Sequence, residues 1–214
     1  MILTLSHQKG GVGKSTIAWN LALEFSKFLP VTVIDLDMQR SMSAANRIRT
    51  DKGMAPLDIC HFGDADEFVH YIEKDHEGRL TIIDSGGFDS SFNRIAIMAS
   101  DVLLTPVSDK PFDLLGLQKY EEILEALSGF QEKTIKTHVV LNNLNPALRN
   151  FGDVMEFVLM SEYFELMTSV LRQRVDFSNS VGVGKSVIEH APQGRAALEM
   201  KALCKEIGEI LNIL

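Results

Sequence analysis

Between an apolar run, Ile2 to Leu5, and a helical pattern stands the segment Gln8-Lys9-Gly10-Gly11-Val12-Gly13-Lys14-Ser15-Thr16. Glycines at this density let successive backbone N–H groups turn inward on an anion, which makes the segment a phosphate cradle. Lys14 reaches the outer phosphates of a nucleotide and the Ser15 hydroxyl can ligate Mg²⁺, while the helix that opens here aims its positive end at the same charge. The strict form of the motif, G-x-x-x-x-G-K-[ST], has glycine where this chain has Gln8, and a second lysine, Lys9, precedes the glycines. A lysine at that place points away from its own phosphate site, so its charge is free to neutralise phosphates on a neighbouring subunit. A solvated surface lysine is the plain alternative.

Three aspartates are candidates to complete the site. Asp35 and Asp37 end the apolar stretch that begins at Val31, and Asp84 closes Leu80-Thr81-Ile82-Ile83. In a parallel α/β sheet the strand ends face the crevice that holds the phosphate loop. Asp37 can there orient an attacking water or a hydrated Mg²⁺, and Asp84 can hold Mg²⁺ through water. Any one of the three could be a cap or turn aspartate, but three beside a phosphate loop are hard to explain that way. Asp35 is the weakest of them. A second glycine run, Val181 to Ser186, also ends in Gly-Lys-Ser, but it has Asn179 in place of the first glycine and no buried strand before it. It reads as a flexible turn.

The elements that must position these groups are legible as alternating strands and helices. Ile2–Leu5, Val31–Asp35, Leu57–Cys60, Leu80–Asp84, Val102–Val107 and Thr137–Leu141 read as strands, most of them nearly continuous apolar runs as expected when both faces are covered. Ile17, Leu21, Phe25 and Phe28 mark the buried face of a helix that stops before Pro30. Leu117, Tyr120, Leu124 and Leu127 mark another, and Met200, Leu203, Ile207, Ile210 and Leu214 a third. The expected fold is α/β: a doubly wound, mostly parallel sheet with helices on both faces, ligands lying at the carboxyl ends of the strands. With 214 residues, 45% of them hydrophobic, the chain supports one sizeable core, and residues 1–214 are expected to form one domain. Thr50–Pro56 is the only loop candidate holding both glycine and proline, and no repeat or linker marks a boundary.

Composition narrows the function classes. No run of about 18 apolar residues and no leader pattern is present, so a cytoplasmic protein without a membrane role is expected. Cys60 and Cys204 are too isolated for a zinc site or a disulfide framework, and the histidines lack ligand spacing; His138, in an apolar run, reads as a packed residue. A net charge of −8 argues against a protein that coats nucleic acid with its whole surface. From Leu166 to Lys205, however, six basic residues face three acidic ones, and Arg172, Arg174 and Arg195 are the candidate DNA-phosphate contacts. Ordinary helix-surface charge explains those counts equally well.

The stretch from Lys9 to Thr16 resembles the deviant Walker A motif of the ParA/MinD group of ATPases, in which the first lysine reaches across a nucleotide-sandwich dimer. Asp35-Leu36-Asp37-Met38-Gln39 is similar to that group's D-x-D-P-Q box, with Met38 in place of proline, and Ile83-Asp84-Ser85-Gly86-Gly87 resembles its D-x-P-P segment, with glycines for prolines. Ala99 to Val107 followed by Pro111-Phe112-Asp113 resembles the A-D-x-x-x-x-P-V…P-F-D stretch. Val139 to Asn143 resembles the strand whose asparagine reads adenine, and Arg174 to Val187 the late R-v…G-x-S-V turn.

The resemblance implies ATP and Mg²⁺ as cofactors, bound by Gly10, Gly11, Val12, Gly13, Lys14, Ser15 and Thr16, with Asn142 at the base. Lys14 would act on the phosphates, Thr16 on the α-phosphate, Lys9 on the partner subunit's nucleotide, Asp37 on water, and Ser15 and Asp84 on Mg²⁺. It further implies ATP hydrolysis, an ATP-dependent homodimer that binds nonspecific DNA and is nucleoid-associated when ATP-bound, and release stimulated by a ParB-like centromere-binding adaptor. A small partition ATPase lacking an N-terminal DNA-binding domain is expected. A MinD-like membrane role is not, because Cys204 to Leu214 carries no basic amphipathic face. Cluster-carrying relatives would need paired cysteines, which are absent. Two rivals remain: a metabolic ATP-dependent ligase of the same fold, and an ATP-gated device that positions another cellular cargo.

Overall fold

A computed structural model describes residues 1–74, 78–147 and 152–213. In chain order it contains β1 (Ile2–Leu5), α1 (Lys14–Phe25), β2 (Val31–Asp35), α2 (Ser41–Asp51), β3 (Asp58–Cys60), α3 (Ala65–Ile72), β4 (Leu80–Asp84) and α4 (Ser91–Ala99). There follow β5 (Val102–Val107), α5 (Pro111–Gln131), β6 (Thr137–Leu144), α6 (Gly152–Met160), β7 (Phe164–Arg172), α7 (Val175–Val181), α8 (Val187–His190) and α9 (Arg195–Ile210). The strands form one seven-stranded sheet in the order β3-β2-β4-β1-β5-β6-β7. All pairings are parallel.

Parallel strands need crossover connections, and the helices that supply them cover both faces. One face packs α1 and α9 through Ile17, Leu21, Met200, Leu203 and Ile207 against Leu3, Leu5, Val33 and Ile82. On the other face Leu117, Tyr120 and Leu124 of α5 meet Leu103, Val139 and Leu141, while Phe68 of α3 and Ala96 of α4 meet Ile2, Ile34 and Ile83. Consecutive apolar residues such as Ile82 and Ile83 thus serve opposite cores, which is why these strands read as unbroken hydrophobic runs.

The register decides what the strand ends bring together. Leu5 pairs with Asp84, and Asp84 with Asp35, so the phosphate loop that follows β1 lies beside both carboxylates.

Four expectations require correction. The seventh strand, β7, was not legible because it lies at the sheet edge, where buried positions are interrupted by exposed Glu165 and Thr168. Its free backbone edge is covered by α9: the N–H groups of Thr168 and Ser169 donate to the Glu206 carboxylate (2.8 and 2.9 Å), and that of Arg172 donates to Glu199 (2.9 Å). The first helix ends at Phe25, a turn early, leaving Phe28 exposed rather than on its buried face. Strand β6 runs on to Leu144 instead of stopping at Leu141. The glycine run near residue 184 is a pinned junction, not a flexible turn: Gly184 lies against the Arg49 backbone, Trp19 Nε1 donates to the Lys185 carbonyl, and Ser186 and Glu189 form a capping box. Leu214 lies outside the described residues. No helix among the described residues is long and apolar enough to cross a membrane.

Candidate nucleotide-binding site

The loop between β1 and α1 wraps one end of an open cavity of about 1070 Å³, whose wall includes every residue from Gly10 to Ile17. Gly11 and Gly13 hold φ of 79° and 101°, conformations that side chains resist, and these glycines aim the loop amides inward. Gly13 is constrained twice, because a Cβ there would stand 2.3 Å from the Asn142 side-chain amide. Asn142 donates to the Val12 carbonyl (2.7 Å), so it braces the loop as well as lining the cavity. Gly87 lies equally close, its Cβ position 2.7 Å from the Gly10 nitrogen. A proline, which carries that carbon, does not fit here unless the loop shifts. Substituting Gly13 by alanine is expected to weaken nucleotide binding at least tenfold, about 1.4 kcal/mol, in a fluorescent-nucleotide titration. Unchanged affinity would contradict this account of the loop.

Lys14 is buried, its ammonium held by the carbonyls of Lys9 (3.1 Å) and His7 (3.5 Å). Burial lowers its pKa, against the pull of Asp84 and Asp37. No carboxylate among the described residues closes a salt bridge on it. An ammonium with donors to spare at the end of an anion cradle is poised for phosphate.

Asp84 is fully buried and neither carboxylate oxygen has a hydrogen-bond partner. Burial pushes its carboxyl up to about 7, opposed by the Ser15 hydroxyl and the Lys14 ammonium. Beside it Asp35 accepts from the Asp37 N–H through one oxygen (3.2 Å), while the other is unpartnered, and burial again raises its pKa. Asp37 lies on the cavity wall and accepts from the Gln39 N–H (2.9 Å). Two neighbouring carboxylates with unsatisfied oxygens, one of them beside Ser15, suit a divalent cation. No cluster of three acidic, histidine or cysteine ligands exists among the described residues. That donor set fits Mg²⁺, which takes one or two carboxylates and fills its shell with phosphate and water.

Lys9 stands outside the cavity wall, partly exposed, its ammonium paired with Asp113 at the start of α5 and lying 5.9 Å from the Phe112 ring centroid. Asp113 itself is buried and also accepts from the Ser108 hydroxyl. Sequence reasoning quoted Pro111-Phe112-Asp113 without giving Asp113 a role, and it passed over His7, whose ring accepts the Lys9 N–H (2.9 Å).

The far end of the cavity is built from the ends of β6 and β7 and from α7: Asn143, Arg172, Gln173, Arg174, Val175, Phe177, Ser178 and Val181. None of these except the two arginines was singled out, because the edge strand that delivers them was not legible. Arg172 and Arg174 therefore share the cavity with the phosphate loop, and Arg174 is paired with Glu199 (2.8 Å). Arg195 is separate from them, exposed at the first turn of α9.

A parallel sheet carrying this loop, a buried strand-end aspartate and a cavity at the carboxyl ends defines a P-loop nucleotide-binding protein. Residues 3–188 match the family model of the CobQ/CobB/MinD/ParA nucleotide-binding domain, and the chain belongs to that family. Protein ParA of Rhizobium radiobacter is 32% identical over 154 residues, spanning 70% of this chain and 67% of the relative. The maintenance of carboxysome distribution protein A of Halothiobacillus neapolitanus is 24% identical over 98% of this chain and 94% of its own. Among solved structures, the ATP complex of an aspartate-to-alanine variant of Cyanothece McdA superposes with a TM-score of 0.76 at 16% identity, covering 100% of this chain and 96% of that one.

Proposed function

We propose that the chain, acting as one unit, is a partition ATPase whose ATP-bound form is a homodimer able to hold nonspecific DNA, and that hydrolysis, stimulated by a ParB-like DNA-site-binding adaptor, releases it. The observation that carries this reading is the pair of lysines at one loop. Lys14 is buried within the cradle, whereas Lys9 lies outside the cavity wall with its side chain 36% exposed. A cation so placed serves an anion outside its own cavity. In a dimer facing through the nucleotides, Lys9 would leave Asp113 and meet the partner's phosphates.

ATP would lie with its phosphates on residues 10–16 and its base toward Asn142 and α7. Mg²⁺ held by Ser15 and, through water, by Asp84 would neutralise charge that develops on the phosphates. Asp37, on the wall and accessible to the cavity, would position the attacking water.

The DNA-facing surface is assigned to α9. Glu199 and Glu206 are turned onto β7, so Arg195, Lys201 and Lys205 remain exposed along the outer side of the helix. Arg172 and Arg174 would contribute from the cavity rim. The likeness to a carboxysome-distribution protein supports a second reading, in which the cargo is a cellular body rather than a replicon. A small DNA-binding protein encoded next to this chain would favour partition.

The expected result is that wild-type protein with Mg²⁺ and a nonhydrolysable ATP analogue elutes as a dimer and is retained on DNA at low salt, while Lys9→Ala elutes as a monomer and is lost from DNA. Retention that is equal with ADP, or a dimeric Lys9→Ala, would sink the proposal.

A further inference from the structure

Three large apolar side chains stand exposed on the loops around the phosphate cradle: Met38 after β2 (78%), Phe88 after β4 (47%) and Phe112 at the start of α5 (73%). The strands that deliver these loops and the cradle are neighbours, in the order β2-β4-β1-β5. The four loops therefore lie side by side along the carboxyl edge of the sheet.

Contacts close the row. The Lys9 ammonium, on the β1 loop, is 5.9 Å from the Phe112 ring centroid. A Cβ on Gly87 would stand 2.7 Å from the Gly10 nitrogen and 3.1 Å from the Lys9 carbonyl carbon, so the β4 loop leans on the β1 loop. A Cβ on Gly86 would stand 3.1 Å from the Phe88 ring and 3.7 Å from the Leu36 carbonyl oxygen, which brings Phe88 up to the β2 loop that carries Met38. The result is one ridge across four strands, about 14 Å wide at ~4.8 Å per strand spacing.

Single exposed apolar residues are ordinary, and Phe28, Phe130 and Leu198 are examples. Three on adjoining loops, with Lys9 and the exposed Gly10 and Gly11 among them, make a patch. Charges beside it are matched within the chain, Lys9 with Asp113 and Asp89 with Arg94 (2.6 Å). Phenylalanine and methionine are the residue types enriched in the cores of protein interfaces, where charge is depleted.

The occupant follows from charge complementarity. With nucleotide in the cradle, this edge carries phosphate beside an ammonium that lies outside the cavity wall. Under a twofold axis such a surface complements itself: each Lys9 faces the other copy's phosphates, and the two ridges are pressed together. An unrelated partner would have to bring an anion for Lys9 and a cation for the phosphates, whereas a second copy brings both.

We propose that Met38, Phe88 and Phe112 form the apolar core of a face that receives a second copy of this chain. Their burial holds the nucleotide-bound dimer together, while Lys9 removes the phosphate repulsion that would keep the ridges apart. This rests on the dimer reading above and names its contact surface. None of the three side chains lines the nucleotide cavity, so the single chain's hold on nucleotide is independent of them.

Sedimentation equilibrium with Mg²⁺ and the nonhydrolysable analogue AMPPNP tests this on the wild type, Met38→Ser, Phe88→Ser, Phe112→Ser and the triple variant. Each single serine is expected to raise the dimer dissociation constant at least about tenfold, because every substitution occurs twice across a twofold axis; the triple variant is expected to stay monomeric. Nucleotide affinity, titrated at protein concentrations where the chain is monomeric, is expected to change less than about twofold. Phe130→Ser is the control: it is exposed near the opposite end of α5, about 27 Å from Phe112, and is expected to leave the dimer unchanged. A triple variant that dimerises as tightly as wild type overturns the inference and gives the ridge to a different partner. So does a Phe130→Ser dimer weakened as much as that of Phe112→Ser, or a loss of nucleotide affinity in the monomeric variants, either of which makes the effect indirect. Should circular dichroism show the triple variant unfolded, the single variants decide. A wild type that stays monomeric with AMPPNP removes the dimer reading and this inference together, whereas a wild-type dimer indifferent to the serines removes only this one.

Discussion

Asp84→Asn is expected to make the nucleotide-free protein more stable by about 2–4 kcal/mol at pH 8, and to abolish the extra stability that Mg²⁺-nucleotide confers. The carboxyl rises from 3.8 in the unfolded chain to about 7 in the fold, where it is fully buried and both oxygens are unpartnered. At about 1.4 kcal/mol per pH unit, ionising it in place costs roughly 4 kcal/mol. The sign follows from which state binds the proton. Below pH 3.8 both states are protonated and the penalty is absent; it grows as pH rises to about 7 and is constant above. The asparagine amide inherits the same partnerless position, which trims the gain.

Urea unfolding of the two proteins at pH 5 and pH 8 should show the difference widening with pH. A difference that ignores pH, or a more stable wild type at pH 8, would contradict the assignment of Asp84 as a carboxylate kept out of water for a cation. His7 has the opposite sign: held near 4 in the fold against 6.5 ordinarily, it erodes stability as pH drops through that window. Both proteins share that slope, so it cancels in the comparison.

Gly184→Ala is expected to cost about 3–6 kcal/mol, a large share of the 5–15 kcal/mol typical of a folded domain. Its φ is 70°, where a side chain costs about 1–3 kcal/mol, and an added Cβ would stand 2.5 Å from the Arg49 backbone nitrogen. Backbone-to-backbone overlap has no rotamer that relieves it, so the junction must open.

That junction is where three parts of the site are joined. The Arg49 guanidinium on α2 donates to the Gly184 carbonyl (3.0 Å) and, through both of its terminal nitrogens, to Glu189 (2.9 Å each). Asn20 of α1 accepts the Val187 N–H (2.7 Å), and α7, just before the turn, lines the cavity. Trp19, whose Nε1 donates to Lys185, is the only tryptophan and reports unfolding at this spot. A fluorescence-monitored denaturation in which the variant loses less than about 1 kcal/mol would refute this account.

The loop at residues 8–16 and the strand-end aspartates were legible because each rests on a local rule. Glycine spacing sets the backbone conformations the loop can adopt, and a continuous apolar run ending in aspartate marks a buried strand with its polar end in a crevice. The five interior strands, β1, β2, β4, β5 and β6, were legible for the same reason. β7 was not, since an edge strand alternates wet and dry positions and its amides are satisfied by glutamates 30 or so residues away, on α9. The base end of the cavity vanished from view with it. Arg174 shows the consequence: sequence grouped it with Arg195, and only the fold shows that Glu199 holds it on the cavity wall while Arg195 stands apart on α9.

By itself, the order of residues determined a phosphate loop with a lysine to spare, a parallel α/β sheet and the carboxylates at its edge, because these depend on conformational preference and burial within a few neighbours. Tertiary structure alone decided that Lys9 rests on Asp113 beside a buried histidine, that Asn142 braces the loop, and that Asp84 has no partner. Those facts arise from groups as far as 130 residues apart meeting where water is excluded. There the cost of an unpaired charge depends on which neighbours the fold supplies, and no local spacing records that.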